Sequence, residues 1–188
     1  MCYMAASAMA EPGPPTSLRA ATAQDVAALA ALKLTTFRQT FLEEFAIPYP
    51  AHDLARFEAE TYGEARIAAE LADPAHHSWV CEAPDGTLLA YAHAGPCKLP
   101  HPDVTPRSGE LYQLYVSRAA QGMGLGRQLL ATALDWLATT YPGPLWIGVW
   151  SHNARAQAVY AGAGFRKVGE YHFMVGDHRD EEYIFRRD

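Results

Sequence analysis

The sequence has few cysteines, fewer basic than acidic residues and no long apolar run, and each shortage excludes a class of protein. Three cysteines occur among 188 residues, with no Cys-x-x-Cys spacing, so a disulfide scaffold is excluded and reduced thiols in the cytoplasm are expected. Lys and Arg number 15 against 21 Asp and Glu, and the net charge of −6 argues against a nucleic-acid partner. No apolar run reaches the length that crosses a bilayer, so no membrane partner is expected.

The spacing of a metal site is also missing. His76 and His77 are adjacent, while His172 and His178 have no helical i, i+4 partner. No cysteine stands at ligand spacing from any of them. We therefore predict that the protein holds no metal.

The first sixteen residues differ in composition from the rest. They lack the basic start and the continuous apolar segment of a signal peptide, and the segment Pro12-Gly-Pro-Pro15 disfavours both helix and strand. We expect a disordered leader over residues 1–16. Residues 17–188, in a chain that is 49% hydrophobic, are long enough to fold as one domain with its own core.

Hydrophobic spacing predicts the order β-αα-ββ-β-α-β-α-ββ along this domain. Thr22 and Asp25 form an approximate capping box before the first helix, which stops before Pro48. A second helical region follows, with a break at Gly63, and two more helices are expected after residue 126 and over residues 153–163. The expected strands cover residues 17–20, 77–83, 87–94, 110–116, 145–150, 165–175 and 181–186. This order is typical of a mixed α/β fold, a central sheet flanked by helices.

A glycine-rich segment, Gln121-Gly-Met-Gly-Leu-Gly126, lies between a predicted strand and a predicted helix. Glycines there let backbone N–H groups approach a ligand, and the helix adds its positive N-terminus, so the segment suits a pyrophosphate. A P-loop is excluded because no Gly-Lys-Ser/Thr follows, and a dinucleotide fingerprint fails because Arg127 occupies the sixth place counted from Gly122. The spacing that fits is Gln-x-x-Gly-x-Gly; the alternative is a plain glycine-rich turn before a helix.

A second group of residues follows the next strand. Asn153 and Tyr160 are seven residues apart, close to two helical turns, so both lie on one face of the predicted helix. Gly164, before Phe165, suits a left-handed helix stop. An amide and a phenol would then face one cleft.

These two motifs, in this order and separated by a helix and a strand, resemble those of the GCN5-related N-acetyltransferase (GNAT) family. The resemblance extends from about residue 17 to the end and is most specific over residues 110–169. Further residues look like the PaiA-type polyamine acetyltransferase branch: Thr36-Phe37, Thr40-Phe41, Gly148-Val-Trp150, Lys167-Val-Gly-Glu170 and Phe173-Met-Val-Gly-Asp177. Glu182 departs from that branch, in which aspartate is expected.

The resemblance implies acetyl-CoA as cosubstrate and a splayed central sheet. It also implies that the backbone of residues 114–116 pairs with the pantetheine arm and supplies oxyanion donors, and that the glycine loop receives the pyrophosphate. The expected cofactor-binding residues are Leu114, Tyr115, Val116, Gln121, Gly122, Met123, Gly124, Leu125, Gly126, Arg127 and Asn153. Dimers are common in the family, so the resemblance allows a homodimer.

Two catalytic residues are expected. Tyr160 is predicted to be the general acid, because a phenol with a pKa of about 10 is protonated at neutral pH and can protonate a departing thiolate. Glu110 is the candidate general base, since strand alternation puts it on one face with Tyr112, Leu114 and Val116. The alternatives are a solvated carboxylate at Glu110, a water chain as base, an acceptor that arrives neutral, or an amine site lined by Glu43, Glu44 and Asp53.

The resulting hypothesis is an N-acetyltransferase that moves an acetyl group from acetyl-CoA to a primary amine, a polyamine or another small amine. A protein or peptide N-acetyltransferase is the alternative within the class. A non-catalytic acetyl-CoA sensor is the alternative outside it, and a nicotinamide oxidoreductase is disfavoured by the glycine spacing.

Overall fold

The computed structural model describes residues 16–188, so the expected leader lies outside the described residues except for Thr16. Within this range there are seven strands: β1 Ser17–Ala20, β2 His77–Glu82, β3 Leu88–Pro96, β4 Gly109–Val116, β5 Leu145–Trp150, β6 Arg166–Val175 and β7 His178–Arg187. The α-helices are α1 Val26–Phe37, α2 Ala51–Tyr62, α3 Glu64–Ala72, α4 Leu125–Thr140 and α5 Ala154–Gly162. Short 3-10 turns cover Ala23–Asp25 and Arg118–Ala120, and a π-helix covers Arg38–Glu44.

All strands belong to one sheet in the order β1-β2-β3-β4-β5-β7-β6. Neighbouring strands are antiparallel except β4 and β5, which are parallel and pair only at Gly109–Leu145 and Glu110–Trp146. Beyond these two pairs the strands separate, while β4 stays paired with β3 as far as Val116. The splayed sheet is therefore confirmed, and the separation leaves one edge of β4 without a β5 partner.

Helices cover both faces of the sheet. The apolar residues of α4 are buried and pack on β2–β5: Leu125, Leu129, Leu130, Ala133, Leu134 and Leu137. On the opposite face, Leu29 and Leu32 of α1 and Ile67 of α3 pack against Val80 and Tyr91. Alternate residues of β2 and β3 enter the two cores, as expected for a sheet buried on both sides.

Local signals in the sequence predicted several boundaries correctly. The capping box is present: the Gln24 N–H donates to Thr22 Oγ1, and the Thr22 N–H donates to Asp25 Oδ2 at 2.7 Å. Gly63 separates α2 from α3, and Gly164, with φ of +88°, follows the end of α5.

The predicted alternation along β4 is wrong. Leu111 pairs with Ala94 and Gln113 pairs with His93, so Tyr112 is an extra residue in a β-bulge. The bulge puts Leu111 on the same face as Leu114 and Val116, all three packing on the α4 core. Glu110, the neighbour of Leu111, therefore lies on the opposite face from Leu114 and Val116.

Two other boundaries differ from the prediction. The first helix continues past Phe37 as the π-helix Arg38–Glu44, a change of hydrogen-bond pattern that periodicity does not distinguish from an α-helix. Strand β7 begins at His178 rather than residue 181, because β6 and β7 are joined by the tight turn at Gly176 and Asp177.

Candidate active site

A cleft of about 420 Å³ opens where β4 and β5 separate. Its walls come from β4, β5, α5 with its N-cap, the last two strands and the helices α1–α3. Five residues predicted for the site line it together: Glu110, Leu114, Tyr115, Asn153 and Tyr160. The structure thus brings both candidate catalytic residues to one cavity.

The glycine loop lies beyond the carboxyl end of β4. Gly122 and Gly124 have φ of +86° and +80°, and a Cβ built on either would meet no atom within 4 Å. Their backbones are therefore open to a ligand, next to the first turn of α4, whose N–H groups have no intrahelical partner. A Cβ on Gly126 would lie 3.4 Å from Val116 Cγ2, so the loop adjoins the end of β4.

The side chains of the loop divide into two sets. Leu125 is buried, so only its backbone is available to a ligand, and Met123 is half-buried against the α4 core. Gln121 and Arg127 are exposed, and Gln121 Oε1 accepts a hydrogen bond of 3.5 Å from Arg155. These loop residues, like Val116, do not line the cleft itself. The unpaired edge of β4 and the open loop together fit the acyl arm and the pyrophosphate of acetyl-CoA.

Asn153 is the N-cap of α5. Its side-chain Oδ1 accepts a hydrogen bond of 3.0 Å from the Ala156 N–H. The oxygen is thus engaged within the helix start, as the cap preference of asparagine predicts. A ligand in the cleft would meet Asn153 through its side-chain NH2 group.

Tyr160 is 8% exposed and its ring lies 6.3 Å from that of Phe165. Burial raises the pKa of its phenol to about 12, so the group is protonated at neutral pH. Within residues 16–188 the hydroxyl has no hydrogen-bond partner. It can therefore donate its proton to a group in the cleft.

Glu110 is 7% exposed, so it is not a solvated carboxylate at a strand end. Its Oε2 accepts a hydrogen bond of 2.7 Å from the Lys98 N–H. Burial raises the pKa of Glu110 to about 7, and the charge of Glu182 adds to the rise. The Lys98 N–H, the Cys97 thiol and the Lys98 charge oppose it. A carboxyl group with this pKa exchanges a proton near neutral pH.

Glu182 also lines the cleft, although no role was predicted for it beyond its departure from the PaiA-type pattern. It lies on β7 opposite Trp150, and its carboxylate accepts a hydrogen bond from the Tyr171 hydroxyl. Burial raises the pKa of Glu182 to about 7, and the nearby charge of Asp180 contributes. One signal in the sequence could have indicated a role for Glu182. Aromatic residues, Tyr171 and Phe173, alternate along one predicted strand, and acidic residues occur on the next.

Gly148 makes room for this contact. A Cβ at Gly148 would lie 2.8 Å from the Tyr171 hydroxyl and 2.9 Å from Glu182 Oε2. Both distances are far below an ordinary carbon–oxygen contact. The residue in β5 must therefore be glycine for Tyr171 and Glu182 to meet.

The alternative amine site does not form. Glu43 is exposed and pairs with Arg118 at 2.8 Å, and Glu44 is exposed. Asp53 is buried beside the β6–β7 turn, where it accepts a hydrogen bond of 3.4 Å from the Asp177 N–H. None of the three lines the cleft.

Residues 16–188 contain neither a cluster of metal ligands nor a helix that could span a membrane. No group of His, Cys, Asp and Glu side chains in residues 16–188 is arranged to hold a metal ion. In the same part of the chain, none of the helices combines the length and apolarity that crossing a membrane requires.

Comparisons with known proteins agree on one family. The family model for the acetyltransferase (GNAT) family matches residues 34–165. An uncharacterized N-acetyltransferase of Lactobacillus delbrueckii subsp. lactis is 28% identical over 150 residues, which cover 80% of this chain and 86% of that relative. The N-alpha-acetyltransferase RimI of Mycobacterium tuberculosis is 34% identical over 127 residues, or 66% of this chain and 73% of RimI.

A solved structure has the same fold. The PaiA N-acetyltransferase from Thermoplasma acidophilum, in complex with coenzyme A, superposes with a TM-score of 0.70 at 15% identity. The alignment covers 92% of this chain and 98% of that structure. At this identity the similarity shows the fold alone.

Proposed function

This chain belongs to the GNAT acetyltransferase family, and on that basis we propose that it acetylates a small cationic primary amine, with a polyamine as the preferred acceptor. The enzyme is an acyltransferase that uses acetyl-CoA. One observation carries the choice of acceptor: the buried carboxyl group of Glu110 and the half-buried carboxyl group of Glu182 line the same cleft as Tyr160.

The cleft is suited to a cation because its acidic groups lie among aromatic rings. Tyr49, Trp150 and Phe173 line it beside the two carboxyl groups. Aromatic faces attract ammonium groups, and carboxylates removed from water attract them more strongly than exposed ones do. An uncharged or anionic acceptor would add no cationic partner to these carboxyl groups, whose hydrogen bonds come from the Lys98 N–H and the Tyr171 hydroxyl.

Acetyl-CoA supplies the acetyl group as a thioester. The backbone of Leu114, Tyr115 and Val116, on the edge of β4 that lacks a β5 partner, would hold its acyl arm. The backbone N–H groups of residues 121–127 would receive the pyrophosphate at the start of α4. Asn153 would add a donor from the start of α5.

In the proposed reaction the amine nitrogen forms a bond to the thioester carbon and the carbon–sulfur bond breaks. Glu110, ionised in part at neutral pH, takes the first proton from the bound ammonium group and so frees the lone pair that attacks. The nitrogen loses a second proton as the carbon–nitrogen bond forms, and this proton replaces the one that Tyr160 gives up. Tyr160 gives its proton to the departing sulfur, because its raised pKa keeps it protonated until then. The products are the acetamide and coenzyme A.

A protein or peptide N-terminus is the second candidate acceptor, favoured by the 34% identity to RimI. A cytoplasmic location remains part of the proposal and is in keeping with the free thiols of Cys81 and Cys97. A homodimer stays a prediction.

Release of free thiol from acetyl-CoA tests the proposal, with spermidine, spermine and putrescine compared with alanine- and lysine-containing peptides. The proposal predicts turnover on the polyamines and strong loss of turnover in Tyr160→Phe. Turnover on the alanine peptide alone would favour the second candidate. Tight acetyl-CoA binding with no turnover on any amine, unchanged in Tyr160→Phe, would favour a non-catalytic sensor.

A further inference from the structure

Strands β6 and β7 present two aromatic–carboxylate pairs to the cleft. Tyr171 is directly opposite Glu182, and Phe173 is directly opposite Asp180. Directly opposed residues lie on the same face of a sheet, as do residues two apart on one strand, and all four line the cleft. The Cα atoms of Asp180 and Glu182, two residues apart on one strand, are about 7 Å apart.

Asp180 is 5% exposed and takes no part in the proposed proton transfers. Its carboxylate accepts a hydrogen bond of 2.5 Å from the Tyr49 hydroxyl, and His178 Nε2 lies 3.3 Å from Oδ1. Within residues 16–188, neither Asp180 nor Glu182 forms an ion pair with Lys or Arg. A buried carboxylate that lacks a fixed cation is costly, so a cationic ligand would be stabilised beside it.

Aromatic side chains complete the surroundings of Asp180. Tyr49, Trp150 and Phe173 line the same cleft, and Phe173 is 38% exposed although its ring is large and apolar. An exposed aromatic ring beside a buried carboxylate is the combination that binds ammonium groups in proteins.

Further space adjoins the cleft at Asp180. A second cavity of about 330 Å³, between residues 45–48 and β7, shares Trp150 and Asp180 with the cleft. A long acceptor that passes Asp180 would therefore have room for the rest of its chain. Glu182 and Asp180 also affect each other electrostatically, since the charge of Asp180 helps to raise the pKa of Glu182.

We propose that the Tyr171–Glu182 and Phe173–Asp180 pairs are consecutive subsites for two ammonium groups of one acceptor. The enzyme then prefers amines in which a short alkyl chain separates the reacting nitrogen, at Glu182, from a second nitrogen that stays protonated at Asp180. This inference rests on the proposed function and specifies the acceptor further. The acceptor carries two amino groups, and the one at Asp180 stays protonated and does not react.

The test compares kcat/KM for putrescine with kcat/KM for butylamine, which has the same carbon chain but one nitrogen. The wild type should prefer putrescine. In Asp180→Asn the ratio of the two kcat/KM values should fall at least about tenfold. The second ammonium group of putrescine loses its charged hydrogen-bond partner, whereas butylamine has no second nitrogen to lose one. Asn keeps an oxygen that accepts from the Tyr49 hydroxyl. Asp177→Asn is the matched control, since Asp177 is exposed, lies three residues away and lines neither cavity, and its ratio should equal that of the wild type.

Phe173→Leu tests the same subsite without touching a buried polar group. The ratio of putrescine to butylamine should fall about two- to fivefold when the exposed ring is removed. A ratio that stays at the wild-type value in both Asp180→Asn and Phe173→Leu would overturn the second subsite while leaving the amine acetyltransferase intact. A wild type that acetylates neither amine nor spermidine would overturn the proposed function as well.

Discussion

Replacing Glu110 by Gln should change how folding stability depends on pH. Glu110 is 7% exposed, and burial is the main cause that raises its pKa from 4.5 to about 7. In the unfolded chain the carboxyl group is in water and its pKa returns to the ordinary value. One pKa unit corresponds to about 1.4 kcal/mol, so folding favours the protonated carboxyl group by about 3 kcal/mol.

The direction of the pH dependence of stability follows from how many protons the folded and unfolded chains bind. Between pH 4.5 and about 7 the folded protein keeps a proton that the unfolded chain has lost, so the stability of the wild type falls with rising pH in this window. Gln has no proton to lose, and its amide oxygen can still accept the Lys98 N–H. Relative to the wild type, the free energy of unfolding of Glu110→Gln should rise by up to about 3 kcal/mol between pH 4.5 and pH 8.

Urea unfolding of both proteins at pH 4.5 and pH 8 measures this difference. Glu60→Gln is the control, because Glu60 is exposed and the same charge change there should leave the difference near zero. If Glu110→Gln differs from the wild type by the same amount at both pH values, burial does not raise the pKa of Glu110. In the same way, kcat/KM of the wild type should rise with pH around 7. The apparent pKa of this rise belongs to the Glu110–Glu182 pair and not to either residue alone.

Three other substitutions test separate parts of the site. Tyr160→Phe should lower kcat about 10²- to 10⁴-fold with little change in acetyl-CoA affinity, and an unchanged kcat in steady-state assays would remove its acid role. Gly124→Val should fold, because no atom lies within 4 Å of the added Cβ, although the φ of +80° is strained for valine. Calorimetry should nevertheless show no acetyl-CoA binding by this variant. Normal affinity would mean that the pyrophosphate binds elsewhere. Gly148→Ala should separate Tyr171 from Glu182 and lower kcat/KM for putrescine, and an unaltered value would show that their contact is dispensable.

Periodicity and capping predicted the framework well because those signals are local. The capping box at Thr22, the break at Gly63 and the strand Leu145–Trp150 each depend on residues close together in sequence. The two motifs around residues 121–126 and Asn153 likewise indicated the family that the family model matches.

Features that depend on pairing between strands could not be predicted. The bulge at Tyr112 is defined by the partners that β3 offers to β4, and strict alternation therefore put Glu110 on the wrong face. The burial of Glu110 and the contact between Tyr171 and Glu182 arise from segments more than ten residues apart that meet only in the folded sheet. The glutamate at position 182 could be interpreted only once the folded sheet showed Tyr171 of β6 donating a hydrogen bond to it.

Thiol release from acetyl-CoA by the wild type tests whether the acceptor is a small cationic amine. Putrescine and spermidine are compared with a peptide that begins with alanine. We expect both polyamines to be acetylated with a higher kcat/KM than the peptide. A higher kcat/KM for the peptide, or no turnover on either polyamine, would contradict the assignment of a cationic amine to the Glu110–Glu182 cleft.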